Sequence, residues 1–160
     1  MKLVLLGSLA FILCGCSPEL SLKRNTKKVI RKVQRKSECF FECTLDGCYI
    51  NVIWYYKNNT LIGYKIRPYD INVYNLPYNN CHLDADSLFM YLDTPLEKRD
   101  ECFLYLLDGP WISFYDKKNK EPLECGLNFD CLFNTKYEKC SFPYILKNTL
   151  SKLNICPSKN

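Results

Sequence analysis

The sequence predicts an all-β sandwich stapled by disulfides. Three observations carry that prediction. One run shows strict two-residue alternation; several short β-branched and aromatic runs are punctuated by turn residues; and eleven cysteines occur in 160 residues behind a leader-like N-terminus.

Residues 1–16 read as a secretory signal. Lys2 supplies a positive end, Leu3 to Cys14 are apolar, and Gly15, Ser17 and Pro18 follow. The apolar run is too short to span a bilayer, and cleavage is expected near Gly15 or Cys16. Leu13-Cys14-Gly15-Cys16 also loosely fits a bacterial lipobox, with Cys16 acylated. No later stretch is apolar for long enough to serve as a transmembrane anchor. The expected location is therefore secreted, or the lumen of the endoplasmic reticulum.

Residues 17–38 form a basic arm. Lys23, Arg24, Lys27, Lys28, Arg31, Lys32, Arg35 and Lys36 fall together with no acid between them, whereas from Cys39 onward there are 13 Lys/Arg and 15 Asp/Glu. The arm reads as a solvated, partly disordered or marginally helical leader. A sharper reading is electrostatic contact with a glycosaminoglycan or with anionic lipid heads. Nucleic acid is excluded as a partner, because no aromatic side chain interleaves with these charges to stack on bases.

Residues 39–160 have the length of one domain. Tyr49 to Tyr56 alternates: Ile50, Val52, Trp54 and Tyr56 share one face, and Tyr49, Asn51, Ile53 and Tyr55 share the other. Lys57-Asn58-Asn59 marks a turn, residues 61–66 a returning strand ended by Arg67-Pro68, and residues 71–74 another short strand. The runs at 102–107, 111–115 and 140–146 read as strands as well. Residues 83–92 suit a short helix or an irregular excursion.

With Cys14 and Cys16 set aside, nine cysteines remain. No C-x-x-C pair occurs and His82 is the one histidine, so zinc and thioredoxin-like readings lack their spacing. Behind a signal, the set reads as a disulfide framework. The odd number leaves one thiol free, lost with the signal, or bonded to another chain.

No catalytic, cofactor or metal motif is convincing. His82 with Asp84 and Asp86 is the one constellation that could be stretched into an acid–base or metal site, and it reads better as a polar loop. A phosphate-cradling glycine loop, H-E-x-x-H and G-x-S-x-G are all missing. The chain is read as non-catalytic. Asn58-Asn59-Thr60 is an acceptor for N-linked sugar at Asn58, on the expected turn. Asn79-Asn80-Cys81 and Asn154-Ile155-Cys156 are weaker variants. Some of Tyr55, Tyr64, Tyr69, Tyr74, Tyr78 and Trp111 are expected on the surface, where such rings favour binding.

Cys43 lies eleven positions before Trp54, a separation suited to an immunoglobulin-like strand-B cysteine and strand-C tryptophan. The tyrosine corner of a standard immunoglobulin domain is missing. The order Cys39-x3-Cys43-x4-Cys48-x5-Trp54-Tyr55, then Cys102, "GPWISFYDKKNKEPLEC" to Cys125, "GLNFDC" to Cys131 and "CSFPYIL" from Cys140 resembles one family. It is similar to the secreted immunoglobulin-like accessory proteins encoded by the eighth open reading frame of SARS-related and bat coronaviruses. The resemblance covers roughly residues 39–57 and 102–150. It implies a disulfide-stapled immunoglobulin-like β-sandwich with a long insertion at about 58–101, after the Trp54 strand. It further implies Cys43–Cys131, Cys48–Cys140 and Cys102–Cys125 bridges, and a covalent homodimer through Cys39. Cys81 and Cys156 have no counterparts and are left to pair with each other. The function implied is that of a secreted viral accessory glycoprotein binding host immune or secretory-pathway proteins, in the service of immune evasion. The alternative is a secreted or lipid-anchored cystine-rich ligand or adhesin of non-viral origin. The basic arm and the 58–101 insertion are both departures from the family pattern.

Overall fold

A computed structural model of the chain describes residues 17–45, 48–78, 101–103, 110–118 and 121–155. The expected signal, the His82–Asp86 loop, Cys81 and Cys156 lie outside them. The elements are α1 (Pro18–Gln34), β1 (Cys39–Leu45), β2 (Ile50–Lys57), β3 (Thr60–Ile66) and β4 (Ile71–Pro77). A 3-10 turn (Glu101–Phe103), β5 (Trp111–Asp116), β6 (Leu123–Gly126), α2 (Phe129–Asn134) and α3 (Phe142–Lys152) follow.

The strands form one antiparallel sheet in the order β4-β3-β2-β1-β5-β6. Tyr49–Tyr56 forms β2 as its alternation predicts, and the runs at 61–66, 71–74 and 111–115 are strands too. Asn58 and Asn59 both take positive φ (49° and 56°), the geometry of a two-residue hairpin turn matched to sheet twist. Among the described residues the strands make a single sheet, and helices rather than a second sheet cover its two faces. The described residues thus show the β-rich part of the expectation, an antiparallel sheet, and no second sheet of a sandwich.

Two segments changed class. Residues 140–146 are not a strand: Ser141 caps a helix by accepting from the Tyr144 N–H, and Pro143 sits in its first turn, where its missing N–H costs nothing. Phe142, Ile145, Leu146, Thr149, Leu150 and Leu153 then bury one helical face. The helix ends where Asn154 adopts a left-handed φ of 55°. Its N–H donates to Ser151 O at 3.0 Å, and that of Ile155 to Leu150 O at 2.8 Å. Likewise the basic arm is an ordered helix, not a loose leader. Pro18 opens it, and Thr26, Val29 and Val33 are buried with Leu22 and Ile30 half-buried beside them. The expected strand at 102–107 begins instead as the 3-10 turn; its remainder lies outside the described residues.

Odd and even positions of each strand therefore face different helices. Phe41, Cys43, Val52, Trp54, Leu61, Ile112, Phe114 and Cys125 meet α2, α3 and the 3-10 turn in the larger core. Phe40, Ile53, Tyr55, Tyr64 and Ile66 meet α1 in the smaller one. β2 is buried on both sides along most of its length.

Candidate functional site: a basic helix face and the trough beside it

Burying one stripe of α1 fixes where its charges go. With Val29 and Val33 under the helix, Arg24, Lys27, Lys28, Arg31, Lys32, Arg35 and Lys36 line a shallow groove of about 580 Å³ along its outer side. From Arg24 to Lys32 the helical rise is about 12 Å, and Arg35 and Lys36 continue the row in the turn after Gln34. Among the described residues the one salt bridge is Lys23 to Glu19 at 2.7 Å, an i,i+4 pair nearer the helix start. That pair holds the Glu19 carboxyl below its usual range. The other cations have no acidic partner among the described residues, though Lys32 Nζ lies 5.3 Å over the Tyr64 ring. The helix is pinned at its side as well: Asn25 Nδ2 donates to Arg67 O (3.2 Å) and Pro68 O (3.0 Å) in the β3–β4 connection.

Beside α1 the sheet face is polar. Glu42 is buried, yet its carboxylate accepts from Asn51 Nδ2 (3.2 Å) and from the Tyr115 hydroxyl (2.9 Å). Asn51 Nδ2 also donates to Thr26 Oγ1 of α1 at 3.1 Å, which ties helix to sheet. In the same row Ser113, opposite Glu42, donates to Glu124 at 3.0 Å. Burial pushes the Glu42 carboxyl above its ordinary range; the Tyr115 hydrogen bond opposes this and the nearby Glu124 charge adds to it. Burial and the same carboxylate raise the Tyr115 phenol. Glu42, Thr44, Trp111, Ser113, Tyr115 and Glu124 line one hollow of about 440 Å³. Through Thr44 it adjoins a second, under the first half of α1. Through Tyr115, whose ring stacks on Phe40 at 4.5 Å, it adjoins a third near Asp116 and Lys117. A trough thus follows β1 along the flank of the helix, polar beside β5 and more apolar where it passes under α1.

The cysteines are arranged differently from the scheme implied by the resemblance. Cys102 is bonded to Cys131, with Cα atoms 5.2 Å apart, where Cys43–Cys131 and Cys102–Cys125 were expected. That bond uses one cysteine of each expected bridge and so excludes both. The register also keeps Cys43 and Cys125 from each other. Cys43 stands opposite Val52 on one side and Ile112 on the other, and Cys125 is one strand farther on, opposite the same Ile112. Two strand spacings are about 10 Å, beyond the reach of a disulfide. Cys43 and Cys125 are buried thiols in the larger core, and desolvation pushes the Cys43 thiol far up. Cys140 is disulfide-bonded, but not to Cys48, which is a free, exposed thiol; the partner of Cys140 lies outside the described residues. Trp54 stacks on Phe41 (5.2 Å, 9° between planes) instead of on a bridge. Cys39 is a free thiol, half-buried at the start of β1, and is raised by burial and by the charges of Asp116 and Glu38. Less of it is thiolate at neutral pH, which slows its entry into an interchain bond.

Of the expected surface aromatics, Tyr69 is exposed and Tyr74 and Trp111 are half-buried, while Tyr55, Tyr64 and Tyr78 are buried. Asn58 is exposed on the β2–β3 turn. Among the described residues no group of three or more His, Cys, Asp and Glu side chains is placed to hold a metal, and no helix is long and apolar enough to cross a membrane. The trough was missed from sequence because Glu42, Ser113 and Glu124 become neighbours only through strand pairing. The α1 face was legible in principle: apolar or small residues recur at 22, 26, 29, 30 and 33 beneath the charge run. No family model, curated protein or solved structure matches this chain.

Proposed function

We propose that this chain is a secreted or lumenal, non-catalytic binding protein whose α1 outer face docks a sulfated glycan. One observation carries the reading. Seven cations, five on α1 and two in the turn that ends it, line one side of an element that is itself fixed to the sheet, and none has an acidic partner among the described residues. A row of cations about 12 Å long on the helix and continued in the turn beyond it suits a linear polyanion, because the charges are aligned before the ligand arrives. The Cys102–Cys131 bond supports an oxidising compartment. The resemblance adds host immune or secretory-pathway proteins as partners, a covalent Cys39 dimer and a sugar at Asn58, and those rest on the resemblance and the sequon alone. The glycan reading does not: it stands on a helix that the family pattern lacks.

The test is heparin chromatography of the secreted protein against Arg24→Ser/Lys28→Ser/Arg31→Ser/Arg35→Ser. All four positions point away from both cores, so the fold should stay intact. The variant should elute at clearly lower salt than the wild type. Equal retention would remove the proposal. Retention on anionic phospholipid vesicles but not on heparin would assign the face to a membrane surface instead.

A further inference from the structure

A second site lies on the other flank of the same helix. Where the first half of α1 crosses the end of the β1–β2 ladder, a cavity of about 540 Å³ opens between helix and sheet. That falls within the ~300–1,000 Å³ typical of small-molecule sites. Leu22, Ile30 and Leu45 supply an apolar lining, and all three remain only half-buried. Lys23 and Lys27 are exposed above them. Glu19 engages Lys23, so Lys27 is the cation there without an acidic partner among the described residues.

Two further features mark the cavity. Tyr49 lines it, 53% exposed as a residue and with its backbone in the left-handed region at φ 50°, a conformation costly for an aromatic residue and persisting where surroundings enforce it. Asn51, another lining residue, is nine-tenths buried, and its Oδ1 has no hydrogen-bond partner. Such an orphaned acceptor is uncommon in a finished core, and it can take a hydrogen bond only from a donor, so it is no contact for an anion.

We infer that this cavity binds an amphiphile with one hydrocarbon chain and one anionic head. The chain lies against Leu22, Ile30 and Leu45, and the head meets Lys27. Apolar lining selects the chain, and the unpaired ammonium at the edge selects the charge over a neutral alcohol of equal length. This inference goes beyond the glycan reading and uses the other flank of the helix, with Lys27 the residue that lines both.

Dansylaminoundecanoic acid is the probe, titrated into the full secreted protein. Its emission should rise saturably and be reversed by dodecanoate, with dodecanol a weaker competitor. Lys27→Gln should weaken dodecanoate roughly fivefold, the scale of one exposed ion pair, and leave dodecanol unchanged. Tyr49→Ser, a surface change that leaves the core intact, should weaken both; Leu22→Asp should abolish both. Absence of a saturable signal overturns the inference. So does equal competition by acid and alcohol that Lys27→Gln does not alter. Displacement of the probe by heparin but not by dodecanoate would also overturn it, by placing the probe on the outer basic face. The Arg24/Lys28/Arg31/Arg35 variant should keep probe binding, which separates failure of this site from failure of the glycan site.

Discussion

The two faces of the sheet are built from the same strands and solve different problems. Toward α3 the rows read Phe41–Phe114–Leu123 and Cys43–Ile112–Cys125, and nearly every position is apolar. The polar intrusions there are used as fasteners: the Tyr56 and Thr149 hydroxyls meet at 2.8 Å, and Lys65 Nζ donates to Asn154 O at 2.9 Å past the end of α3. Toward α1 the neighbouring rows carry Glu42–Ser113–Glu124 and Thr44–Trp111, and the helix covers only part of them. One face is sealed and supplies stability. The other is half-covered, and its uncovered half holds the hollows and the buried carboxyl.

Substitutions can break or sharpen that contrast. The largest effect is expected from Leu146→Ala on the sealed side, where the side chain is fully buried: about 2–5 kcal/mol by chemical denaturation. Val33→Ala, equally buried but under α1, should lose only about 1.5 kcal/mol, the value of the two methyl groups removed. Equal losses would mean that the two faces share the structural load. Next comes Gly63→Ala. A methyl there would run into Leu153 at the end of α3, which is itself fully buried, so the overpacking should cost about 1–3 kcal/mol in the same assay. A neutral result would show that α3 shifts freely on the sheet.

The smallest effect concerns Glu42, and it depends on pH. Its folded-state carboxyl is raised, chiefly by burial, so between its unfolded and folded values the native state holds more protons than the unfolded one. The stability contribution is then complete at low pH and is lost as pH rises through the folded value. Thermal scans should therefore show Glu42→Gln gaining on the wild type from acid toward neutral pH. A difference independent of pH would mean that the carboxyl keeps an ordinary affinity for its proton.

What the sequence revealed follows from where each signal resides. β2 declared itself because Tyr49–Tyr56 alternates with β-branched and aromatic residues, and a turn follows at Asn58-Asn59. The helices were harder for opposite reasons. In α3, Phe142, Ile145 and Leu146 resemble a short β-run unless followed to Leu150 and Leu153, where the helical period shows. In α1, six cations, with two more just beyond its end, mask the five positions beneath them. Cysteine pairing was not legible, since the Cys102–Cys131 bond joins the 3-10 turn to α2, two elements that the sequence reading did not place. The cationic half of the candidate site was visible as composition; the trough and cavity exist only once β1, β2 and β5 lie beside α1.

The two-residue turn at Asn58-Asn59 has one more consequence. β2 runs away from Tyr49 toward that turn, so the hairpin tip and the cavity mouth occupy opposite ends of the sheet. A bulky group carried on the tip would shield one pole of the molecule and leave the other unobstructed. Immobilisation through Asn58 would accordingly present the cavity outward, ready for a partner arriving from solution.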